Sequence, residues 1–466
     1  MSSELPNMQT TVRSHTVTNA RVSIIGAARS GVAAAELLVK AGAVVFVSDR
    51  NAVDTLGENP ARLAAMGVQY ETGGHSDRVF DADFIVVSPG VPTDAPVIRA
   101  AESRDLRIIS EMELASWFCA APILAITGTN GKTTTTALTG RMFHDAKKPH
   151  AVGGNIGTAF SLLIPEITTD STAILEVSSF QLDTIESFHP KVSVLLNITP
   201  DHLDRYDLSF EKYIAAKCRV FENQTVDDTL IYNYEDIETR ETVRRMASMH
   251  VRTLPFGVDQ QYDEGAFVEN DTMVTMVGGV RTEIIPVNEI AIKGVHNLYN
   301  AMAATLAAQA MGISSTSICA TLKSFKGVEH RLEVVRELDG VLYVNDSKAT
   351  NVDSVRYALQ AYPNPIVLLL GGRDKGNDYS RLYDLVQDHV KAIVAIGESA
   401  DVVEEEFSRL VQTVRAGSIE EAITTARSLA VRGDMVLLSP ACASFDWFKN
   451  YEHRGLVFKE LVHNLQ

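Results

Sequence analysis

The sequence predicts an α/β protein of three domains: N-terminal Rossmann-like, central P-loop ATPase-like on a parallel sheet, and C-terminal Rossmann-like. Three observations carry this expectation. The chain has 466 residues, too many for one ordinary core. Short apolar runs alternate with amphipathic or Ala-rich runs, the pattern of parallel strands joined by helices. And "AITGTNGKTTTTA", Ala125 to Ala137, sets a Gly-rich turn between an apolar strand and a helical run, where a phosphate-binding loop belongs.

The first domain is expected over 1–110. "RVSIIGAARSGVAAAELLVKAGAVVFVSDR" reads as strand, Gly-containing turn, Ala-rich helix and a second strand ending at Asp49, a βαβ unit. The strand in "DFIVVSPGVP" follows, and the segment fades near Ile109–Glu111. The second domain, 111–327, starts with the strand "PILAIT" and adds two strand-then-polar-loop units, "TAILEVSSFQL" and "KVSVLLNITPDHLDRY". Its helical run "GVHNLYNAMAATLAAQAMGI" is closed by Gly312, suited to a C-cap. The third, 328–466, opens around "SFKGVEHRLEVV" and carries the strands "LYVNDS", "PIVLLLGG", "AIVAIG", "QTVRA" and "DMVLLSP" between helical patterns.

Composition narrows the function. Hydrophobic residues at 45% and charged residues at 22% suit a globular protein with several cores. A formal net charge of -17 argues against nonspecific nucleic-acid binding and requires that an anionic substrate be drawn in by local positive charge. Cys119, Cys218, Cys319 and Cys442 have no C-x-x-C pairing, so neither a disulfide framework nor a zinc site is expected. "MSSELPNMQTTVRSHTVTN" has no apolar signal region and no run approaches a membrane span. A cytoplasmic monomer acting on small molecules, with no nucleic-acid or membrane partner, is the expectation.

The central loop departs from G-x-x-x-x-G-K-[ST]. Gly131-Lys132-Thr133 is intact, but Ile126 stands at the first glycine and the loop is the shorter "GTNGKT". The physics survives: Gly128, Thr129, Asn130 and Gly131 turn backbone N–H groups toward a phosphate, and the helix beginning near Lys132, with Thr133 and Thr134, adds its positive end. Lys132 reaches terminal phosphates and the Thr133 hydroxyl suits Mg2+; a Gly-rich turn with a solvated lysine is the alternative. Glu176 ends one apolar strand, and Asp201, His202 and Asp204 follow another. In a parallel sheet these loops share the carboxyl edge, where a carboxylate beside a triphosphate is a direct or water-mediated Mg2+ ligand. A strand-end salt bridge and a hydrogen-bonded loop histidine are the structural alternatives. "GAARSG" nearly matches the dinucleotide fingerprint, but Ala28 replaces the glycine that lets backbone approach a pyrophosphate. Asp49 stands where an NAD ribose ligand would be, so an NAD site remains in view with the missing glycine against it.

"GTNGKTT", "EVSSFQL", "NITPDHLDRY", "GVHNLYNA", "HRLE", "NDSKATN", "LLLGGRDKG" and "SPACASFDWFKNYEHRG" resemble, in order and across nearly the whole chain, the Mur ligase family of ATP-dependent amino-acid ligases. The resemblance implies that ATP phosphorylates an acceptor carboxylate and an amine then displaces phosphate, with Lys132 and two Mg2+ neutralising charge. It implies Thr133 and Glu176 on one metal and His202 on the other. Lys217, in "YIAAKCRVFEN", occupies the family's carbamylated-lysine position, although the residues alone read as a lysine on an amphipathic helix. Asn297 and Arg331 map to nucleotide contacts, Asn155 to an acceptor contact, and Arg29, Ser30, Asp49, Arg50 and Gly90 to the UDP-sugar end of the acceptor. Arg29 and Asp49 depart from residues common in the family. In the third domain, Lys348, Thr350, Lys375 and Ser444 offer the cations and donors a dicarboxylate amino acid needs, with Phe445 and Tyr451 beside it and Asp346 to orient or deprotonate its ammonium. The absence of a D-N-P-R motif favours D-glutamate, with UDP-N-acetylmuramoyl-L-alanine as acceptor. Another Mur ligase, a folylpolyglutamate synthetase, or a P-loop regulatory ATPase with a nucleotide-sensing Rossmann domain are the other readings.

Overall fold

Three sheets organise the chain in the computed structural model, which describes residues 17–247, 251–374 and 376–466. The chain divides into two compact units, one running to Val287 and including Tyr299–Thr321, the other formed by Asn288–Leu298 and Leu322–Gln466. Two sheets belong to the first unit and one to the second.

The first sheet holds β1 (Arg21–Ile25), β2 (Val44–Asp49), β3 (Gln69–Thr72), β4 (Phe84–Val87) and β5 (Arg107–Ser110), all parallel in the order β3-β2-β1-β4-β5. The order reverses between β1 and β4, which opens a crevice at the carboxyl edge. The helix Arg29–Lys40 packs Val32, Ala33, Ala34, Leu37 and Leu38 inward. A Cβ on Gly31 would lie 1.8 Å from the Gly26 carbonyl oxygen, so the last glycine of "GAARSG" is needed for helix packing whatever ligand the turn takes.

The second sheet holds β6 (Ile123–Thr127), β7 (His150–Gly154), β8 (Thr172–Glu176), β9 (Val192–Leu195), β10 (Thr229–Asn233), β11 (Arg252–Phe256), β12 (Gly265–Glu269), β13 (Thr272–Val277) and β14 (Val280–Pro286). From β7 through β8, β6, β9, β10 and β11 to β12 its neighbours are parallel. β6, β8 and β9 are buried throughout, which accounts for their unbroken apolar runs. β12, β13 and β14 form an antiparallel extension that the alternating pattern did not suggest. Its turns fall at Asn270-Asp271 and Gly278-Gly279, all four residues at positive φ, the backbone that tight hairpins require.

The third sheet holds β15 (Glu333–Leu338), β16 (Val341–Asn345), β17 (Ile366–Gly371), β18 (Val390–Ile396), β19 (Gln412–Arg415) and β20 (Met435–Leu438), in the order β15-β16-β20-β17-β18-β19. Only β15 is antiparallel. Successive residues alternate between two cores: Val344, Leu368, Leu370 and Leu437 enter one, Tyr343, Val367, Leu369 and Val436 the other. Because β16, β20 and β17 are parallel neighbours, the loops that follow them, "NDSKATN", "SPACASFD" and the one opening with "GGRD", share one edge. Among the described residues no helix is long and apolar enough to cross a membrane.

Candidate active site

In the first unit the loop after β6 turns into the helix Lys132–Asp145 through Gly131, at φ 86°. A Cβ there would lie 2.3 Å from Asn300 Oδ1, which also accepts from the Thr135 hydroxyl at 3.2 Å. The loop is braced from the strand end of β9: Thr129 N donates to Asn197 O at 2.9 Å, Asn130 N to Asn197 Oδ1 at 2.8 Å, and Asn197 Nδ2 to Asn130 O at 3.0 Å. Lys132 Nζ lies 2.8 Å from both the Gly128 and Thr129 carbonyl oxygens, so its charge is held inside the loop. The Thr134 hydroxyl is buried in the first helical turn and lacks a hydrogen-bond partner among the described residues. A rigid loop, a lysine and a helix N-terminus form an anion cradle.

Beside it, Glu176 ends β8 at 2% exposure. Its carboxylate accepts from the Thr133 hydroxyl at 2.8 Å and from Asn155 Nδ2 at 2.9 Å, neither of them a cation. Lys217, in the helix Phe210–Cys218, is 1% exposed and donates to Gly128 O at 2.9 Å, with Nζ 4.6 Å from the Tyr213 ring centroid. Burial, and then the Lys132 ammonium, lower its pKa well below the usual lysine range. The structure thus gathers Gly128, Lys132, Thr133, Asn155, Glu176 and Lys217. His202 has left-handed backbone at φ 51°, its Nε2 is 3.8 Å from Asp201 Oδ2, and its ring meets Phe180 edge-on at 6.4 Å.

At the edge of the first sheet, Arg29, Arg50 and Gly90 are exposed and Ser30 is half-buried. Asp49 is buried, and both its oxygens are engaged: Oδ2 accepts from Ala27 N at 2.6 Å and Oδ1 from Asn51 N at 2.8 Å. It therefore shapes the "GAARSG" turn. Arg205, from the loop after β9, donates to the carbonyl oxygens on either side of Gly90, Pro89 at 3.0 Å and Val91 at 2.7 Å, and stacks over Phe180 at 4.9 Å. Sequence reasoning passed over Arg205, Asn197 and Asn300.

In the second unit, Asp346 is 1% exposed and accepts from Leu332 N at 3.2 Å and Ser439 Oγ at 2.8 Å; burial pushes its pKa up to about 6. Lys348 Nζ lies 5.2 Å from the Tyr451 ring centroid, Ser444 is buried, Phe445 is exposed, and Thr350 occupies the same loop as Lys348. Lys375 lies outside the described residues. Arg331 is half-buried, and its Nε lacks a partner among them. Asn297 Nδ2 donates to Lys293 O at 2.8 Å, one turn back in the chain. A further residue, Arg454, is buried and donates to Ser347 Oγ at 3.0 Å, Ser347 O at 2.8 Å and Cys442 O at 3.1 and 3.2 Å, clamping the loops after β16 and β20. Burial lowers its pKa to about 10. The letters "EHRG" carried no sign of this role.

Family models match three stretches: MurD N-terminal domain over 21–97, Mur ligase middle domain over 126–308, and Mur ligase, glutamate ligase domain over 330–442. The chain is 46% identical over 459 residues to a UDP-N-acetylmuramoylalanine--D-glutamate ligase of Chloroherpeton thalassium, covering 96% of this chain and 98% of that protein. It is 47% identical to the protein of the same name from Salinibacter ruber, covering 96% and 99%. Among solved structures, its fold is similar to a pseudomurein peptide ligase type C from Methanothermus fervidus, with TM-score 0.60 and 19% identity over 96% of this chain and 100% of that one. It is similar also to UDP-N-acetylmuramate-alanine ligase MurC from Thermotoga maritima, with TM-score 0.59 and 20% identity over 95% and 99%.

Proposed function

The chain belongs to the Mur ligase family, and from that premise we propose that it joins D-glutamate to UDP-N-acetylmuramoyl-L-alanine, converting ATP to ADP and phosphate, in peptidoglycan precursor synthesis. The near-full-length identity to relatives of that name carries this reading. The geometry supports the chemistry. An amine cannot expel oxide from a carboxylate, so the acceptor carboxylate is first phosphorylated; attack by the amino group then forms the C–N bond and releases phosphate. The protein's work is positioning and charge neutralisation.

Gly128, Thr129, Asn130, Gly131, Lys132, Thr133 and Thr134 cradle the phosphates, with Asn297 and Arg331 as further nucleotide contacts. The oxygen donors present fit a magnesium ion: Glu176 is a buried carboxylate hydrogen-bonded, among the described residues, by neutral groups, and the Thr133 hydroxyl lies 2.8 Å away. Bound there, the ion neutralises phosphate oxygens. His202 and carbamylated Lys217 serve a second ion. The depressed pKa of Lys217 supports the modification, since the neutral amine is the form whose nitrogen adds to CO2, losing a proton to leave an anionic carbamate. Asp346 accepts a proton from the incoming ammonium, while Lys348, Thr350, Lys375, Ser444, Phe445 and Tyr451 hold D-glutamate. Arg29, Ser30, Arg50, Gly90 and Asn155 hold the acceptor, and Asp49 serves it by shaping the turn that carries Arg29 and Ser30. On this assignment residues 1–110 take the UDP-sugar, 111–327 ATP and 328–466 the amino acid, in a cytoplasmic monomer.

The test is ADP release from each muramoyl nucleotide precursor paired with each candidate amino acid. Strict dependence on UDP-N-acetylmuramoyl-L-alanine and D-glutamate is expected. Amino-acid-independent hydrolysis would point instead to a regulatory ATPase. Labelled oxygen in the acceptor carboxylate should emerge in the phosphate.

A further inference from the structure

At the carboxyl edge of the first sheet, three side chains that the proposed reaction leaves unused are wired in series. Ser48, buried near the end of β2, has its Oγ 2.7 Å from Glu71 Oε1 and 2.6 Å from His75 Nδ1. Glu71 also accepts from Ser76 N at 2.9 Å and Ser76 Oγ at 2.6 Å. Burial works to raise the Glu71 pKa, but the Ser76 and Ser48 hydrogen bonds outweigh it and hold the pKa below its ordinary value. Glu71 is therefore a carboxylate and only accepts.

Ser48 has one hydroxyl proton, and the Glu71 carboxylate at 2.7 Å takes it in preference to the Gly74 carbonyl oxygen at 3.4 Å. The contact between Ser48 Oγ and His75 Nδ1 must then be closed by a proton on Nδ1. A neutral imidazole protonated on Nδ1 carries a bare lone pair on Nε2. His75 is half-buried, and among the described residues nothing hydrogen-bonds Nε2. Burial lowers the His75 pKa; the Glu71 and Asp49 carboxylates oppose this and Arg50 reinforces it.

The loop carrying His75 lies along the end of β2: Gly73 N donates to Asn51 O at 2.8 Å and Gly74 N to Asp49 O at 3.3 Å. On the proposed acceptor assignment, a diphosphate at the N-terminus of the helix Arg29–Lys40 would sit over β1. With the Gly90 loop after β4 assigned to the sugar side, the nucleoside would run over β2 toward β3. We infer that His75 reads the base of the acceptor, its bare Nε2 accepting the uracil N3–H while Ser48 and Glu71 hold the ring in the required tautomer. This rests on the proposed uridine-diphosphate acceptor. Cytosine, with a lone pair at N3, would face a lone pair.

The test is steady-state kinetics of the full-length protein with UDP-N-acetylmuramoyl-L-alanine and its N3-methyluridine counterpart. One lost hydrogen bond corresponds to about tenfold. The wild-type KM should rise about tenfold for the methylated acceptor. His75→Ala should raise the KM for the natural acceptor by about the same factor and then barely distinguish the two acceptors, with kcat and the KM values for ATP and D-glutamate within about twofold of wild type. The wild-type acceptor KM should also climb as pH falls through the His75 pKa, because protonated Nε2 opposes the base N–H donor. His75→Gln, which offers an untitratable carbonyl, should keep a near-wild-type KM at neutral pH and lose that climb. Equal discrimination against the methylated base by wild type and His75→Ala, or an acid-side climb persisting in His75→Gln, overturns the inference. Absence of turnover with any UDP-linked acceptor would instead overturn the proposed function itself.

Discussion

Replacing Arg205 with methionine keeps much of the side-chain stem and removes the guanidinium that ties the loop after β9 to the loop around Gly90. Two hydrogen bonds are lost, to Pro89 O at 3.0 Å and Val91 O at 2.7 Å, together with the contact to the Phe180 ring. At about 1.5 kcal/mol for each charge-bearing hydrogen bond and about 0.5 kcal/mol for a partly exposed cation over a ring, the upper limit is about 3.5 kcal/mol. The Gly90 loop keeps its own turn bond, Val91 N to Ser88 O at 3.0 Å, so only part of that organisation is lost. Taking half, about 1.8 kcal/mol, predicts a roughly twentyfold rise in KM for UDP-N-acetylmuramoyl-L-alanine. The phosphate loop is braced by Asn197 without help from Arg205, so the KM for ATP should stay within about twofold. The assay is ADP release with the acceptor titrated at saturating ATP and D-glutamate, with the melting temperature followed in parallel. An unchanged acceptor KM refutes the positioning role. Equal rises in both KM values with a fall in melting temperature would mean that Arg205 only stabilises the fold.

Four other outcomes are expected. Lys217→Ala should lose at least about 100-fold in turnover and recover part of it with a short carboxylate in the buffer; full activity in the alanine variant would remove the carbamate. Thr133→Val preserves shape without the hydroxyl and should raise the Mg2+ concentration for half-maximal activity by about tenfold, read from a magnesium titration. Asn300→Ala removes the brace behind Gly131 and Thr135, at about 1 kcal/mol, and should raise the KM for ATP about fivefold. Asp346, with its pKa raised to about 6, is a proton acceptor only above that pH, so kcat should fall as pH drops through 6 and Asp346→Asn should abolish that limb.

The parts legible in the sequence are those carried by contiguous residues. Strand-then-loop units around Gly131, Glu176, Asp346 and Ser444 announce themselves because the apolar run and the chemical group are adjacent, and parallel sheets bring such loops to one edge. Asn197 and Asn300 were illegible for the opposite reason. Each is an ordinary polar residue whose partner, the loop at Thr129–Gly131, is more than sixty positions away. Asn297 and Asn300 lie on one helix, and only the structure shows that the second braces the loop while the first bonds Lys293 O. Asp49 carried an ambiguity that the Ala27 and Asn51 amides explain: its carboxylate builds the turn. The antiparallel extension did have a signal, in Asn270-Asp271 and Gly278-Gly279, but it was submerged in an alternating α/β pattern on either side.

The most consequential feature is a crowding that no motif reports. Lys132 and Lys217 both donate to the Gly128 carbonyl oxygen, so their nitrogens are separated by no more than two hydrogen-bond lengths. Two ammonium ions so placed repel by about 3 kcal/mol at an effective dielectric near 20. Burial and then this repulsion both disfavour the charged form of Lys217. Lys132 is half-buried with two carbonyl partners, whereas Lys217 is 1% exposed with one. The neutral form of Lys217 is thereby favoured, and a neutral amine is the species that takes up CO2. A carbamate there would turn a repelling pair of cations into an attracting pair of opposite charges and would supply oxygen donors beside the phosphate loop. The same local electrostatics that make an unmodified, protonated Lys217 unfavourable would thus favour the proposed carbamate.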